Sequence, residues 1–318
     1  MIQVLSSTQA NIKLAAEQIK QNNIVAFPTE TVYGLGGSAY SNIAINKIYQ
    51  YKNRPLHNPL IAHYASLDHI AEDCIVNDLC KIIYKKFMPG PLTVILKKKN
   101  TSHLIPMVSA NLPTQGVRVP NHKTALALIR YASLPIAAPS ANISNKISPT
   151  LPEHVVKSFA EENLMLLDDG ASTLGLESTI VDISNNKNLK ILRHGHITLE
   201  DLQSLNIPIV SQKEEKIIAS GMLKKHYSPN TPLELSCEKL QENDGLLAFG
   251  EINFVLPKNV AVYNLSPKKN LQEAAKNLFK ALWELDAKGL TRICVMPIPN
   301  VGLGIAINEK LQKAAYKE

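Results

Sequence analysis

Short apolar runs recur along this chain, and helical spacing of apolar positions fills the stretches between them. Ile24–Phe27, Leu60–His63, Leu92–Leu96, Gly116–Val119, Leu134–Ala138, Leu164–Leu167, Thr179–Ile183 and Leu189–Leu192 read as strands. Thr8 is placed to cap a helix running to about Gln21, with Ile12, Ala15, Ala16 and Ile19 on one face. Asn42–Tyr51, Leu79–Phe87 and Thr124–Tyr131 read as further helices, and Pro89-Gly90-Pro91 stops the second of these. Thr198 caps Leu199–Leu205, with Glu200 and Asp201 in its first turn.

The pattern breaks near Asn206. Residues 206–235 are polar, carry Pro208, Pro229 and Pro232, and lack sustained periodicity. They read as a linker, although Ser220-Gly221-Met222 and Lys225–Pro229 look specific for a tether. Regular patterning returns at Gly245. Leu246–Phe249, Val260–Tyr263 and Ile293–Met296 read as strands, and Leu271–Leu285 as an amphipathic helix ending by Gly289. Gly302-Leu303-Gly304 then opens a last helix, Ile305–Ala315, and is too weak a signal to imply a nucleotide. Alternating strands and helices predict a small parallel α/β unit. The expected division is 1–205, a linker 206–235, and 236–318.

Five polar motifs sit at the ends of apolar runs: Pro28–Gly36, Lys52–Pro59, Thr114–Arg118, Ala138–Asn142 and Gly175–Thr179. Small, hydroxylated and glycine residues just past a strand are expected outside the core. There they present hydroxyls and N–H groups at a sheet edge, where α/β folds bind ligands. Five such strings predict one composite pocket.

Composition sharpens this picture. At 318 residues, 45% hydrophobic and 19% charged, the chain can bury two cores and is not a disordered polymer. No apolar run approaches the roughly 20 residues of a membrane span. Met1-Ile2-Gln3-Val4 lacks the order of a signal peptide, so a cytoplasmic protein is expected. Cys74, Cys80, Cys237 and Cys294 are scattered and are expected to be reduced, buried thiols. The net charge of +7 permits RNA or polyphosphate binding without showing it. Only five of the 34 cations are Arg, and Arg54, Arg118 and Arg193 lie in or beside the motifs. Lys cannot replace a planar fork that holds phosphate or carboxylate through two bonds.

Lys52-Asn53-Arg54-Pro55-Leu56-His57-Asn58-Pro59 joins a point charge, a fork and an amide on a loop stiffened by two prolines, which suits a polyphosphate. Ala137–Asn142 and Ser148-Pro149-Thr150 offer close backbone approach and the groups of Ser140, Asn142 and Ser148, although Ser/Asn turns are common. Ser178 is equally suited to face a ligand or to cap local backbone. His194-Gly195-His196 has no third ligand nearby and reads as a turn rather than a metal site. A P-loop, a dinucleotide-fold glycine spacing and a G-x-S-x-G elbow are all absent from the sequence.

Taken together, these strings resemble the threonylcarbamoyl-AMP synthase family in its longer, two-domain form. The matching residues are Phe27–Gly36, Lys52–Leu60, Pro89–Thr93, Val117–Pro120, Ala138–Asn142, Ser148–Thr150, Glu177–Ile180 and Lys225–Pro229. The resemblance implies an α/β fold. A twisted, mixed parallel/antiparallel YrdC-like sheet with flanking helices would surround a concave cavity, and a smaller Rossmann-like parallel α/β domain would follow. It implies that L-threonine, bicarbonate and ATP give threonylcarbamoyl-AMP and pyrophosphate. A downstream transferase complex would then modify adenosine 37 of tRNAs that read codons beginning with A, and contact with tRNA itself is a further expectation. The threonine side would comprise Thr31, His63, Arg118, the Ala138 backbone and Ser178. The ATP side would comprise Arg54, Asn58, Thr114, Ser140, Ser148, Arg193 and Tyr227, the last from a linker lid. Lys52, Arg54, Ser140 and Asn142 match the family's catalytic cluster, holding triphosphate oxygens and Mg2+, with no direct side-chain metal ligand. The chain departs from the family where His194 follows Arg193 in place of the usual Pro, which leaves the pose of Arg193 open. Two rival readings are a hydrogenase-maturation-type carbamoyl-transfer domain, whose accessory segments this chain lacks, and a double-stranded RNA-binding module.

Overall fold

The computed structural model describes residues 1–210, 219, 221–222, 225–235, 237 and 239–316. Ser220 of the expected linker motif lies outside the described residues. The chain begins β1 (Gln3–Ser6), α1 (Gln9–Lys20), β2 (Val25–Phe27), β3 (Gly34–Ser38), α2 (Asn42–Lys52), β4 (Ile61–His63), α3 (Leu67–Asp73) and α4 (Asp78–Phe87). It continues with β5 (Leu92–Lys97), β6 (Thr114–Arg118), α5 (Lys123–Ala132), β7 (Ile136–Ala137), α6 (Pro152–Ser158), β8 (Met165–Asp168), β9 (Thr179–Asp182) and β10 (Leu189–Arg193). Then come α7 (Leu199–Gln203), β11 (Ile209–Val210), β12 (Leu233–Glu234), β13 (Gly245–Ala248), β14 (Ala261–Asn264), α8 (Leu271–Asp286), β15 (Ile293–Val295) and α9 (Leu303–Ala314).

Among the described residues, eleven strands form one mixed sheet in the order β1-β8-β2-β3-β7-β4-β6-β5-β9-β10-β11. The apolar runs are continuous rather than alternating because both faces of this sheet are covered. Val25 and Phe27 pack with α1 and α5 through Ile12, Ala16, Leu128 and Ile129. Their neighbours Ile24 and Ala26 point the other way, toward Ile45 and Ile48 of α2 and Ile83 of α4. A second, all-parallel sheet runs β12-β15-β13-β14. It packs on α8 and α9, and its core takes in Val32, Ile147 and Leu176 from the first unit. The short strands β11 and β12 lie within the stretch read as a linker, one added to each sheet.

Several expectations needed correction. The first motif is not a surface run. Residues 29–39 are buried throughout, and Gly34–Ser38 is a strand rather than a loop. Its glycines are there because β3 lies in the middle of the sheet with other elements pressed on it. Cys237 and Cys294 are not free thiols but form a disulfide, while Cys74 and Cys80 are free and buried. A sequence separation of 57 gave no hint that β12 and β15 pair and bring these two sulfurs together. Elements β1, α3 and α6 were not foreseen. β1 is a mostly exposed edge strand without an apolar signal, and the two helices are seven residues each. Gly302 caps α9 as a helix start. No described helix is long and apolar enough to cross a membrane.

Candidate active site

One cavity, with about 520 Å³ of empty space counting its open mouth, lies on the central strands of the large sheet. Its wall includes Thr29, Thr31, Arg54, His63, Arg118, Ala138, Ser140, Glu177, Ser178, Arg193 and His226. Residues from all five motifs meet here. All five expected threonine-side residues are on this wall, together with Arg54, Ser140 and Arg193.

Arg118 ends β6 level with His63 at the end of β4. Its Nη1 donates to Thr31 Oγ1 at 3.0 Å and its Nε to the Gly90 carbonyl at 3.3 Å. Nη2 lies 2.7 Å from Glu30 Oε1 in a buried ion pair, yet has no aligned hydrogen-bond acceptor. Burial alone would raise the Glu30 pKa, but the Arg118 charge and the Asn121 amide hold it below the usual carboxylate range. Thr29 bridges the turn, with its hydroxyl donating to the Val32 carbonyl at 2.6 Å and lying 2.8 Å from Thr31 Oγ1. Burial, reinforced by Arg118, pushes His63 down to about 3, so this imidazole is neutral at any ordinary pH. The sequence reading missed Glu30, although a carboxylate inside the first motif was the available signal for an arginine partner.

At the other side of the cavity Arg54 follows Asn53, whose left-handed φ of 49° closes α2. Its Nε donates to the Asn58 carbonyl at 3.0 Å, and Nη2 to Asn58 Oδ1 at 2.7 Å and the Pro59 carbonyl at 2.8 Å. Asn58 thus braces Arg54 instead of lining the cavity. Burial and the nearby Arg193 bring the Arg54 pKa down to about 10. Arg193 ends β10 and grips Ser178, with Nε and Nη2 on its carbonyl at 3.0 and 2.9 Å and Nη2 on its hydroxyl at 3.0 Å. Ser178 Oγ also lies 2.7 Å from Thr93 Oγ1. Gly195 permits this grip, because a Cβ there would stand 2.4 Å from the Glu177 carbonyl oxygen and the Thr179 nitrogen.

The structure keeps other expected residues off the wall. Lys52 is buried, and its ammonium donates to the Ser140 carbonyl at 2.6 Å and to that of Asn142. Burial, then Arg54, drives its pKa well down. Asn142 accepts from Ser140 Oγ at 2.5 Å and donates to the Ile143 and Lys146 carbonyls. Ser148 donates to Glu177 Oε1 at 2.6 Å. Thr114 borders a separate small cavity with Ser109, Ile180 and Ala219.

Tyr227 sits at φ 63°, a left-handed conformation unusual for a bulky residue. His226 reaches the cavity wall, while the Tyr227 ring packs on Phe279 of α8, centroids 5.4 Å apart. His226 thus joins the wall next to the expected linker tyrosine, whose hydroxyl neighbours Arg193. Burial and the surrounding cations Arg54 and Arg193 keep His226 neutral. Just before it, Gly221, at φ +84°, runs against Arg193, where any Cβ would meet Arg193 Cδ at 2.9 Å.

Glu177 is the one carboxylate on the described wall. Among the described residues, the group spaced to hold a metal is Glu234, Cys237 and Cys294, in the second sheet, with both sulfurs already joined to each other.

Residues 17–195 match the family described as "Telomere recombination", and residues 197–316 match the threonylcarbamoyl-AMP synthase C-terminal domain. The chain is 38% identical to the threonylcarbamoyl-AMP synthase of Bacillus subtilis, across 98% of this chain and 94% of that one. It is 34% identical to that of Pyrococcus abyssi, across 96% and 94%. A crystal structure of P. abyssi Sua5 complexed with L-threonine superposes with a TM-score of 0.87 at 32% identity, covering 99% of this chain and 97% of the other.

Proposed function

The chain belongs to the threonylcarbamoyl-AMP synthase family, and from that premise we propose how its cavity joins L-threonine, bicarbonate-derived CO2 and ATP. The enzyme is a nucleotidyltransferase whose product, threonylcarbamoyl-adenylate, serves N6-threonylcarbamoyladenosine formation at position 37 of tRNA. The observation that carries the site reading is three arginines, Arg54, Arg118 and Arg193, converging on one cavity in a chain that has five.

Threonine's neutral amine attacks CO2, and the amine loses a proton as the carbamate forms. A carbamate oxygen then attacks the α-phosphorus, and the bond from that phosphorus to the α,β-bridging oxygen breaks, so that pyrophosphate leaves with the bridging oxygen. Arg118, a guanidinium on the cavity wall at the end of β6, takes the threonine carboxylate. Thr31 and Ser178 supply hydroxyls, and Ala138 its backbone. His63 stays neutral there and adds no charge to the threonine half. Arg54, Arg193 and Ser140 neutralise and seat the phosphates. Lys52 and Asn142 hold the Ser140 loop, Asn58 holds Arg54, and Ser148 holds Glu177 at the wall. ATP would enter as its magnesium complex. A wall with a single carboxylate suits an ion carried on phosphate oxygens rather than caged by side chains.

N-carboxythreonine and the adenylate are both water-labile, so the cavity needs a cover. His226 reaches the cavity wall and Gly221 runs against Arg193, so the part of the chain that carries them is suited to be that cover. We assign residues 1–205 to catalysis and 236–318 to supporting that cover. A cytoplasmic setting, where ATP and tRNA coexist, and handover to a tRNA-modifying transferase complete the reading.

The test incubates the protein with ATP, magnesium, bicarbonate and radiolabelled threonine. Labelled adenylate that requires bicarbonate is the expected product. Adenylate formed equally without bicarbonate would show ordinary amino-acid activation instead. Truncation before Gly221 should abolish the product, and full activity without the segment would remove the cover from the account.

A further inference from the structure

Helix α9 presents three charged residues, Glu309, Lys310 and Lys313, to the first unit. Lys310 is fully buried, which costs a lysine several kcal/mol of solvation unless its ammonium is well partnered. Its Nζ donates to the carbonyl of His194 and lies 5.8 Å from the centre of the Tyr227 ring. Glu309 Oε2 accepts from the His194 amide at 3.1 Å. Consecutive helix residues thus hold both backbone groups of the residue that follows Arg193. Lys313 donates to Glu309 Oε1 at 2.7 Å and to the Gly221 carbonyl at 2.7 Å, and its own carbonyl accepts from the His226 amide at 3.2 Å.

The same stretch of helix therefore grips the end of β10, which carries Arg193, and the backbone of Gly221 and His226. We infer that Lys310 is a positioning residue for the ATP half of the cavity, holding Arg193 in its pose through His194. Lys310 touches no reacting atom. It acts through the His194 carbonyl, adding to the Ser178, β9 and Glu309 contacts that hold this strand end. In the threonine half, Arg118, Glu30 and Thr31 make none of these contacts, and Ser178 meets them only through Arg193. Loss of Lys310 should therefore fall far more heavily on ATP than on threonine. This inference rests on the cavity being the ATP site.

The test uses the full chain. Lys310→Met keeps the length of the side chain and removes the ammonium. We expect the ATP KM to rise at least tenfold, the threonine KM to stay within twofold, and the His194 and His226 amides to exchange with deuterium at least tenfold faster. Should that variant fail to fold, Lys313→Met, at a position partly open to solvent, decides the matter. It should raise the ATP KM at least threefold and speed exchange across residues 221–226. Unchanged ATP KM in a folded variant overturns the inference, as does a parallel rise in both KM values with a lowered melting temperature, which marks a merely structural role. A wild-type chain that makes adenylate beside an unaffected variant sinks this inference alone. A wild-type chain that neither binds ATP nor makes adenylate sinks the functional reading and this one with it.

Discussion

Arg118, proposed above as the partner of the threonine carboxylate, is also a residue on which stability rests. Its guanidinium is paired with Glu30 inside the protein, so each needs the other's charge. Arg118→Ala leaves a buried carboxylate without its cation, a loss of about 3–5 kcal/mol, and Glu30 then takes up a proton at higher pH than before. Urea unfolding at pH 7 checks the size, and a double variant with Glu30→Gln should recover part of the loss. Arg118→Lys keeps the charge and discards the fork. The threonine KM should rise at least tenfold while the ATP KM stays within twofold, and steady-state kinetics separate the two. The residues that meet at the cavity were legible in the sequence, since the three strand-end and loop arginines among many lysines all line it. Their partners were not. Lys52 meets the Ser140 carbonyl across 88 positions, and no local pattern carries that contact. Through it this lysine holds the Ser140 loop. His194, the departure from the family's proline, finds its account in the same kind of long-range contact. Its N–H, which proline lacks, is the donor to Glu309.

At the scale of elements, the long periodic helices and apolar strands fell within a residue or two of their predicted limits, because burial on one or both faces writes itself into spacing. β1, α3 and α6 escaped because they are short and take their stability from neighbours rather than from their own pattern. The glycine-rich strand β3 escaped in part for the opposite reason, since its residues are small where the sheet is most crowded. The junction of β9 and β10 shows what such crowding does for function. Gly195 lies flat against Glu177 and Thr179, and this approach lets Arg193 reach Ser178. Gly195→Ala has no flexible neighbour to displace, only backbone. It should lower stability by about 1–3 kcal/mol and cut adenylate formation at least tenfold. Thermal melts and the bicarbonate-dependent assay check the two together. A stability loss with full activity would show that Arg193 does not need its present pose. Helix α8 offers a reporter for the same region. Trp283, the only tryptophan, stacks on His154 at 4.8 Å and donates to the Ser148 carbonyl at 3.2 Å. ATP titration should therefore change its fluorescence saturably in the wild type and weakly or not at all in Arg54→Ala.

The molecule as a whole holds its two sheets together partly with groups that must stay uncharged. His154 stacks between the units, His226 reaches the cavity wall, and His63 lies on the floor of the site. Burial lowers all three, His63 and His154 to about 3 and His226 well below its ordinary value. Above pH 6.5 these imidazoles are neutral both folded and unfolded and contribute no pH dependence. Below 6.5 the unfolded chain binds protons that the folded one refuses, so stability falls as pH falls, down to about 3 for His63 and His154. The slope for each fully refused proton is about 1.4 kcal/mol per pH unit, an upper bound once water reaches a loosened interface. The carboxylates Glu30 and Glu309, held below their usual range by neighbouring cations, add their own loss only under about pH 4.5. Two windows result, and the histidine window comes first on acidification. The urea midpoint should therefore be flat from pH 8 to 7 and drop steadily from 6.5 to 5, before any carboxylate titrates. His154→Phe keeps the ring stack on Trp283 and removes one proton-binding site from the unfolded chain, so its midpoint should fall less steeply over the same range. An identical slope in that variant would mean that the interface already admits the proton, and that the two units part before the core of either one melts.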